Sequence, residues 1–338
     1  MPVSGKKRVT INDIAHMTGT SKTTISFYLN GKTDRMSEAT RERIRAAIEK
    51  TGYEPSPLAR GMNSKRSNLM GVIIGDITNA FSNQIVKGIT SVADDAGYRV
   101  LVSSSNFSKE DELAYIDRLI AVGVDGFIVQ PTAQFRKIMA SIEDAGKQLV
   151  FIDSKFYDHA SNWIKTDNYE ASYDAVTACY RRGYRRFLIV TAVPGLLSSR
   201  IERYSGFVDA LGDLGTPFEQ LEIPDEGVDA PALQEFLRAR IDGETPTLVF
   251  APNCWALPDI YIAMREFYPL MPERVGLLGF DNTEWAGVAN PAPSVIVQPA
   301  REEGRQAARL LIDLIEGAGQ VDRHQVLDCQ VQWGPDSL

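Results

Sequence analysis

Four residues of this 338-residue chain stand where polar chemistry could gather: Asp153 in "QLVFIDS", Arg200 after "VPGLLSS", Asn253 in "PTLVFAPN" and Asp281 in "RVGLLGFDN". Three of them close apolar runs. A carboxylate accepts from two hydroxyls at once, Arg presents a planar fork of donors, and Asn both donates and accepts. That chemistry suits a polyhydroxylated small molecule. Asn79, Gln130, Lys155 and Gln298 follow other apolar runs, and Phe81 and Trp255 offer flat surface for a ring face. Each polar residue also suits a helix cap or a turn, Asn253 and Asp281 most of all. Arg200, Lys155 and Lys165 further suggest a ligand that carries a negative charge.

Strands alternating with helices must position this set. From Leu69, "LMGVIIGDI", "RVLVSSSN", "GFIVQP" and "QLVFIDS" read as buried strands. Between them lie the amphipathic stretch "FSNQIVKGITSVADDAGY" and helices around 109–122 and 134–145. A second series runs "RRFLIVTAV", a helix from Ser199, "FEQLEIP", a helix near 230–241, "PTLVFAPN", a helix near 255–267 and "RVGLLGFDN". Repeated strand–helix units predict an α/β body of two doubly wound parallel-sheet lobes, with ligands bound beyond the carboxyl ends of the strands. "SVIVQPAREEGRQAARLLIDLIEG" reads as a strand and helix returning to the first lobe. The expected lobes are about 67–165 with 296–325, and about 166–295 with 326–338.

The N-terminal part is different. Residues 1–66 hold 13 Lys and Arg against 6 Asp and Glu, a net of +7, and the rest of the chain carries −15. A basic head on an acidic body is the asymmetry of a chain whose head alone meets a polyanion. "TINDIAHMTG" opens with Thr10 three residues before Asp13, a capping box, and ends at Gly19. Ser21 opens a second helix with Ile25, Tyr28 and Leu29 as its apolar face, and Asn30-Gly31 ends it. Ser37 caps a third helix whose inner face is Ile44, Ala47 and Ile48. Three short helices with a two-residue turn between the first two predict a helix-turn-helix over residues 1–55. The second helix of such a unit enters the major groove. Lys22 and Thr23 then face base edges. Ser21, Thr24 and Ser26 suit the phosphate backbone, and Thr10 and Asn30 are further candidate DNA contacts. Residues 56–66, behind Pro55 and Pro57, read as a hinge helix or linker.

"VTINDIAHMTGTSKTTISFYLNG" followed by "TRERIRAAIEKTGYEPSPLAR" resembles the head of the LacI/GalR family of bacterial repressors, and the resemblance covers the whole chain. It implies a helix-turn-helix head, a hinge helix that wedges an apolar side chain into the minor groove, and a periplasmic-binding-protein-like body with three crossings between lobes. Ala59 matches the hinge, and Met62 stands where Leu is more usual. "VFIDS", "SSRIERYSGF", "FAPN" and "GFDN" resemble the family's ligand-contacting segments. "SKTTISFYLNGK" is similar to the family's regulators of ketodeoxygluconate metabolism. Phe27 departs from the pattern, which commonly has Arg directly after this Ser.

The expected function is a sequence-specific, DNA-binding transcriptional repressor of carbohydrate-use genes. A sugar or sugar acid between the lobes controls it, and it works as a homodimer on a near-palindromic operator. The alternative is a catabolite-type co-regulator answering to a phosphoprotein. A sugar-binding transport protein would lack the DNA-reading head, and no phosphate-loop, dinucleotide or nucleophile-elbow motif points to an enzyme. Cys179, Cys254 and Cys329 are widely spaced, and His16, His159 and His324 are scattered, so neither a disulfide framework nor a metal site is expected, and no cofactor. No run of about 18 apolar residues marks a membrane span. "MPVSGKKRVT" lacks the apolar stretch of a signal peptide, so a cytoplasmic protein is expected. "VQWGPDSL" shows no heptad tail for tetramers.

Replacing Lys22 or Thr23 is expected to relax base preference by about 1–3 kcal/mol per contact. Phe27 cannot donate to guanine but can touch a thymine methyl, so the selected operator should lack a required G·C pair opposite it. Operator selection followed by binding titrations of the variants checks both; a required guanine there would contradict the assignment of Phe27.

Overall fold

The computed structural model describes residues 9–29, 31–34, 36–53, 66–155, 161–319 and 321–334. They fall into two compact units, Met1–Ser67 and Asn68–Leu338.

In the first unit, α1 (Ile11–Thr18), α2 (Lys22–Leu29) and α3 (Glu38–Thr51) follow one another. The Thr10 side chain accepts from the Asp13 N–H while Asp13 Oδ2 accepts from the Thr10 N–H at 2.8 Å, which closes the capping box. Gly19, at φ 62°, ends α1 in the left-handed conformation. Ser37 caps α3 by accepting from the Thr40 N–H. Ile14, Ala15, Ile25, Ile44, Ala47 and Tyr53 form the core between the helices. A single buried cluster thus fixes α2 against its neighbours with few residues, because the short helices could not stand alone.

The second unit has two lobes, each built on a six-stranded sheet among the described residues. The first sheet has the order β11-β5-β4-β3-β1-β2: β1 Leu69–Ile74, β2 Arg99–Ser104, β3 Gly126–Val129, β4 Gln148–Ile152, β5 Asn162–Thr166 and β11 His324–Leu327. The second has the order β12-β10-β9-β8-β6-β7: β6 Arg186–Ala192, β7 Phe218–Ile223, β8 Thr247–Ala251, β9 Val275–Phe280, β10 Ser294–Val297 and β12 Gln330–Gln332. Every pairing is parallel except β10 with β12. The central strands are buried on both faces, which explains their unbroken apolar runs.

Two expectations change. "SVIV" does not return to the first lobe with its helix. It pairs with β9, Ser294 opposite Leu278, and the chain crosses only after Val297. The expected boundaries at 296 and 326 therefore fall inside β10 and β11. The helix anticipated near 255–267 breaks into a helix Leu257–Ala263 and flanking 3-10 turns, since Pro258 opens the former and Pro269 lies in the turn after it. β5, the helix Asn168–Arg181 and the two C-terminal strands carried too weak a periodic signal to be anticipated, with Lys165 and Asn162 interrupting the apolar pattern of β5.

The first lobe is closed by the helices Ala80–Asp95 and Ala300–Glu316, which cross where Gly88 and Gly304 face them. A Cβ on Gly88 would lie 2.1 Å from the Arg301 carbonyl, and one on Gly304 2.1 Å from the Ile85 carbonyl. Backbone on both sides leaves no flexible side chain to yield. Gly88→Ala is expected to lose about 1–3 kcal/mol despite the better helix propensity of Ala. Gly212→Ala, facing open space in the helix Ser198–Asp213, is expected to gain up to about 1 kcal/mol. Urea unfolding of the two variants checks the contrast.

Candidate functional site

In the first unit, the first turn of α2 presents Ser21, Lys22 and Thr23 to solvent, and Phe27 is 45% exposed. Thr23 and Phe27, four apart, share one helix face, and Lys22 and Ser26 share the next. Ile25 turns into the core. The Ser21 hydroxyl accepts from the Thr24 N–H at 3.1 Å and lies 2.9 Å from its hydroxyl, so this pair also caps the helix. Thr10 is exposed at the start of α1. Asn30, Ala59, Met62 and nearly all of the expected hinge lie outside the described residues.

In the second unit the ends of β3, β4, β8 and β9 converge with the first and second lobe crossings. Asp153, just past β4, and Asp281, just past β9, both adopt the left-handed conformation, at φ 60° and 55°. Backbone of this kind costs about 1–3 kcal/mol and is held only where surroundings demand it. Each turn aims a carboxylate inward.

Asp153 Oδ2 accepts from Gln130 Nε2 at 2.9 Å and from the Ser199 hydroxyl at 3.2 Å. Gln130 in turn accepts from the Gly75 N–H. Asp281 Oδ1 accepts from the Gln298 N–H at 2.9 Å, and the Gln298 side chain donates to Thr166 Oγ1 at 2.7 Å. Asp153 Oδ1 and Asp281 Oδ2 are buried and have no hydrogen-bond partner among the described residues.

Arg203 lies between these carboxylates. Its Nε donates to Asn168 Oδ1 at 2.7 Å, one terminal nitrogen to the Pro252 carbonyl at 2.9 Å, and the other to Gln298 Oε1 at 2.7 Å. The last nitrogen is also 3.9 Å from Asp153 Oδ1, and the guanidinium stacks 4.0 Å above the Phe280 ring. Behind Asp153 sits Glu303, whose carboxylate accepts from the Asp153 N–H at 2.5 Å. Burial pushes Asp281 up to about 7 against the nearby pull of Arg203. Burial likewise raises Asp153 and Glu303, and their mutual proximity raises Glu303 further.

Sequence reasoning brings Gln130, Asp153, Asp281 and Gln298 to this centre, and misses Arg203. It points instead to Arg200, three residues earlier on the same helix. Arg200 is engaged by Asp225 at 2.7 Å, beside the Phe107 ring. The apolar face of the helix carried the missing signal. Gly206 touches the Tyr169 carbonyl, so that face packs on the helix Asn168–Arg181, and Arg203 stands one turn away on it. The other expected cations are engaged too. Lys165 forms a buried ion pair with Glu202 at 2.6 Å, and Lys155 lies over the Trp163 ring.

Asn253 is buried, and its side-chain oxygen accepts from the Ala192 N–H and the Thr191 hydroxyl. It therefore ties β6 to β8 and caps no helix. Asn79 does cap a helix, accepting from the Phe81 N–H, and also reaches across the lobes to Cys254 Sγ at 3.3 Å. Phe81 is 5% exposed, packs in the first-lobe core and lines a groove together with Asp281 and Gln298, and Trp255 packs against the second-lobe core.

Among the described residues no helix is long and apolar enough to cross a membrane. The family model "Bacterial regulatory proteins, lacI family" matches residues 10–56, and "Periplasmic binding protein-like domain" matches residues 176–334. The chain is 29% identical to the HTH-type transcriptional regulator KdgR of Bacillus subtilis (strain 168), over 91% of both chains. It is 28% identical to the HTH-type transcriptional repressor CytR of Escherichia coli (strain K12), over 95% of this chain and 94% of that one. Its fold matches the lac repressor dimer bound to operator and the anti-inducer ONPF with a TM-score of 0.81 and 24% identity, over 98% and 100% of the two chains. A helix-turn-helix that presents Lys22 and Thr23, a two-lobed body and relatives matched over nearly their full length lead to one conclusion: the chain belongs to the lacI family of bacterial transcriptional regulators.

Proposed function

We propose that this regulator represses carbohydrate-use genes as a homodimer on a near-palindromic operator, and that a sugar or sugar acid held by Asp153, Arg203, Asp281 and Gln298 controls it. One observation carries the reading of the cleft: two buried carboxylate oxygens from opposite lobes, Asp153 Oδ1 and Asp281 Oδ2, have no hydrogen-bond partner among the described residues and lie near a buried guanidinium. Buried acceptors left unmade are costly. Hydroxyls of a ligand supply the missing donors, and Arg203 donates to an acceptor on the same ligand. Since Arg200, Lys155 and Lys165 are engaged elsewhere, the hydroxyl pattern rather than a ligand charge is the main feature read at the centre. Similarity to KdgR keeps sugar acids among the ligands to test first.

The ligand acts on the DNA head through lobe closure. Direct contacts already join the lobes: the Ala133 N–H to the Leu196 carbonyl at 3.1 Å, the Lys155 N–H to Ser198 Oγ at 3.1 Å, and Asn79 to Cys254. A ligand that bridges Asp153 and Asp281 favours one closure state over the other by its differential affinity, and that difference sets how strongly it shifts operator binding.

A thermal-shift screen of sugars and sugar acids, repeated in an operator-binding assay, tests the reading. For a ligand so found, Arg203→Ala is expected to weaken binding about 10- to 100-fold, the range of a charged hydrogen bond. Arg200→Ala is expected to change it less than about threefold. The reverse order would return the site to Arg200.

The cleft also gives a pH dependence. Asp281 titrates near 7 in the fold and near its ordinary 3.8 when unfolded. The fold therefore holds the proton longer, and the stability this carboxyl contributes below 3.8 is lost as pH rises through 7. Asp281→Asn keeps the acceptor for the Gln298 N–H and removes the titration. Urea unfolding is expected to show the variant gaining on the parent by at most about 4 kcal/mol at pH 8, with the gain shrinking towards pH 5. An identical difference at both values would contradict the burial of a titrating Asp281.

A further inference from the structure

We infer that the effector cleft continues into a second subsite, walled by Phe81 of the first lobe and Trp285 of the second, which takes a neutral pyranose ring joined to the group held at the polar centre. The inference rests on the cleft reading above and extends it from one ring to two. A groove of about 430 Å³ opens between the start of the helix Ala80–Asp95 and the turn after β9. That volume lies within the range of small-molecule sites, about 300–1,000 Å³. Asp281 and Gln298 line it and also belong to the polar centre, so the two spaces share a wall.

The lining names the ligand chemistry. Trp285 is half-buried and braced from behind by Tyr261, whose ring meets it edge-on at 4.9 Å and 88°. A braced, partly exposed indole presents a fixed flat face, which is what the C–H face of a pyranose packs on. Phe81 closes the opposite side. Asn83 and Gln84 are exposed on the same helix and bring amides that both donate and accept, as ring hydroxyls require. None of the described lining residues is basic, and Glu284 adds a negative charge, so a carboxylate on this ring would be repelled. The acidic group of a sugar acid, where there is one, therefore belongs to the ring or chain at Arg203, and the second ring is uncharged.

The test uses the full-length protein and matched probes that differ by one neutral ring: D-glucose with maltose and with cellobiose, and D-gluconate with maltobionate and with lactobionate. Calorimetric titration is expected to show at least one two-ring probe binding tenfold or more tighter than its one-ring partner. Trp285→Ala is expected to abolish that gain while leaving the one-ring affinity within twofold, and Trp285→Phe to restore most of it. A two-ring probe no tighter than its partner in every pair that binds overturns the second subsite and leaves the polar centre standing. A gain that survives in Trp285→Ala also overturns it. Absence of binding by every probe counts against the cleft reading itself, and the second subsite falls with it.

Discussion

Burial of Asp153, Asp281 and Glu303 around the single guanidinium of Arg203 is the constraint on which the body depends. Three carboxylates and one cation leave an excess of negative charge in a place that water scarcely reaches, and burying charge without compensation is costly. The protein meets that cost in three ways. Proton uptake is eased, as the raised titration of all three carboxyls indicates. Backbone and side-chain donors from Gln130, Ser199 and Gln298 satisfy one oxygen of each aspartate. The remaining aspartate oxygens have no hydrogen-bond partner among the described residues, which is where the proposed ligand enters. An entirely satisfied network would make the cleft a rigid strut, whereas this one leaves acceptors that a polyhydroxylated molecule could complete.

Because Asp153 comes from one sheet and Arg203 and Asp281 from the other side of the chain crossings, the incomplete network is also the joint between lobes. On the proposed reading, the same few residues recognise the ligand and report its presence. Gln298 illustrates this economy: it sits at the crossing after β10, accepts from Arg203, donates to Thr166 at the first crossing and positions the Asp281 carboxylate through its own N–H. A ligand bound at this centre would therefore reach two of the crossings without an intervening path through the cores. The cores themselves, dominated by fully buried Phe, Ile and Leu, are packed too densely to deform gradually, which favours switching between discrete arrangements.

Much of the architecture was legible in the sequence because its physics is local. Apolar runs of strand length, caps such as Thr10 and Ser37, and terminal glycines such as Gly19 declare themselves without knowledge of the fold. β10 was assigned to the wrong lobe because strand pairing is a long-range choice: "SVIV" fits either sheet equally well, and only its register against β9 decides. At the site the same division holds. Asp153 and Asp281 stand at strand ends, a place that sequence marks plainly. Arg203 stands in mid-helix, where a charged residue ordinarily means a solvated face. Its burial follows from the packing of the helix Ser198–Asp213 on the helix Asn168–Arg181, and the latter carried too few aliphatic residues to be anticipated at all.

The charge division of the chain sharpens what each unit must do. Among the described residues the head carries most of its positive charge on exposed side chains such as Lys22, Arg43 and Lys50, where it remains available to phosphates and is screened by salt. The body carries its excess negative charge partly in the cleft, where it is desolvated and specific. In the head the exposed Phe27 replaces a hydrogen-bond donor with an apolar surface on the same face as Thr23. In the body the reverse occurs, as two apolar strands end in carboxylates that each keep one oxygen without a hydrogen bond among the described residues. Both departures put a local cost into the free protein, solvent-exposed apolar area in one case and unpaired buried acceptors in the other. In each case a ligand of matching chemistry would remove the cost, and on the function proposed here these are a thymine methyl for Phe27 and sugar hydroxyls for Asp153 and Asp281. Affinity then comes from what the free protein lacks, so selectivity is built into both units by omission as much as by contact.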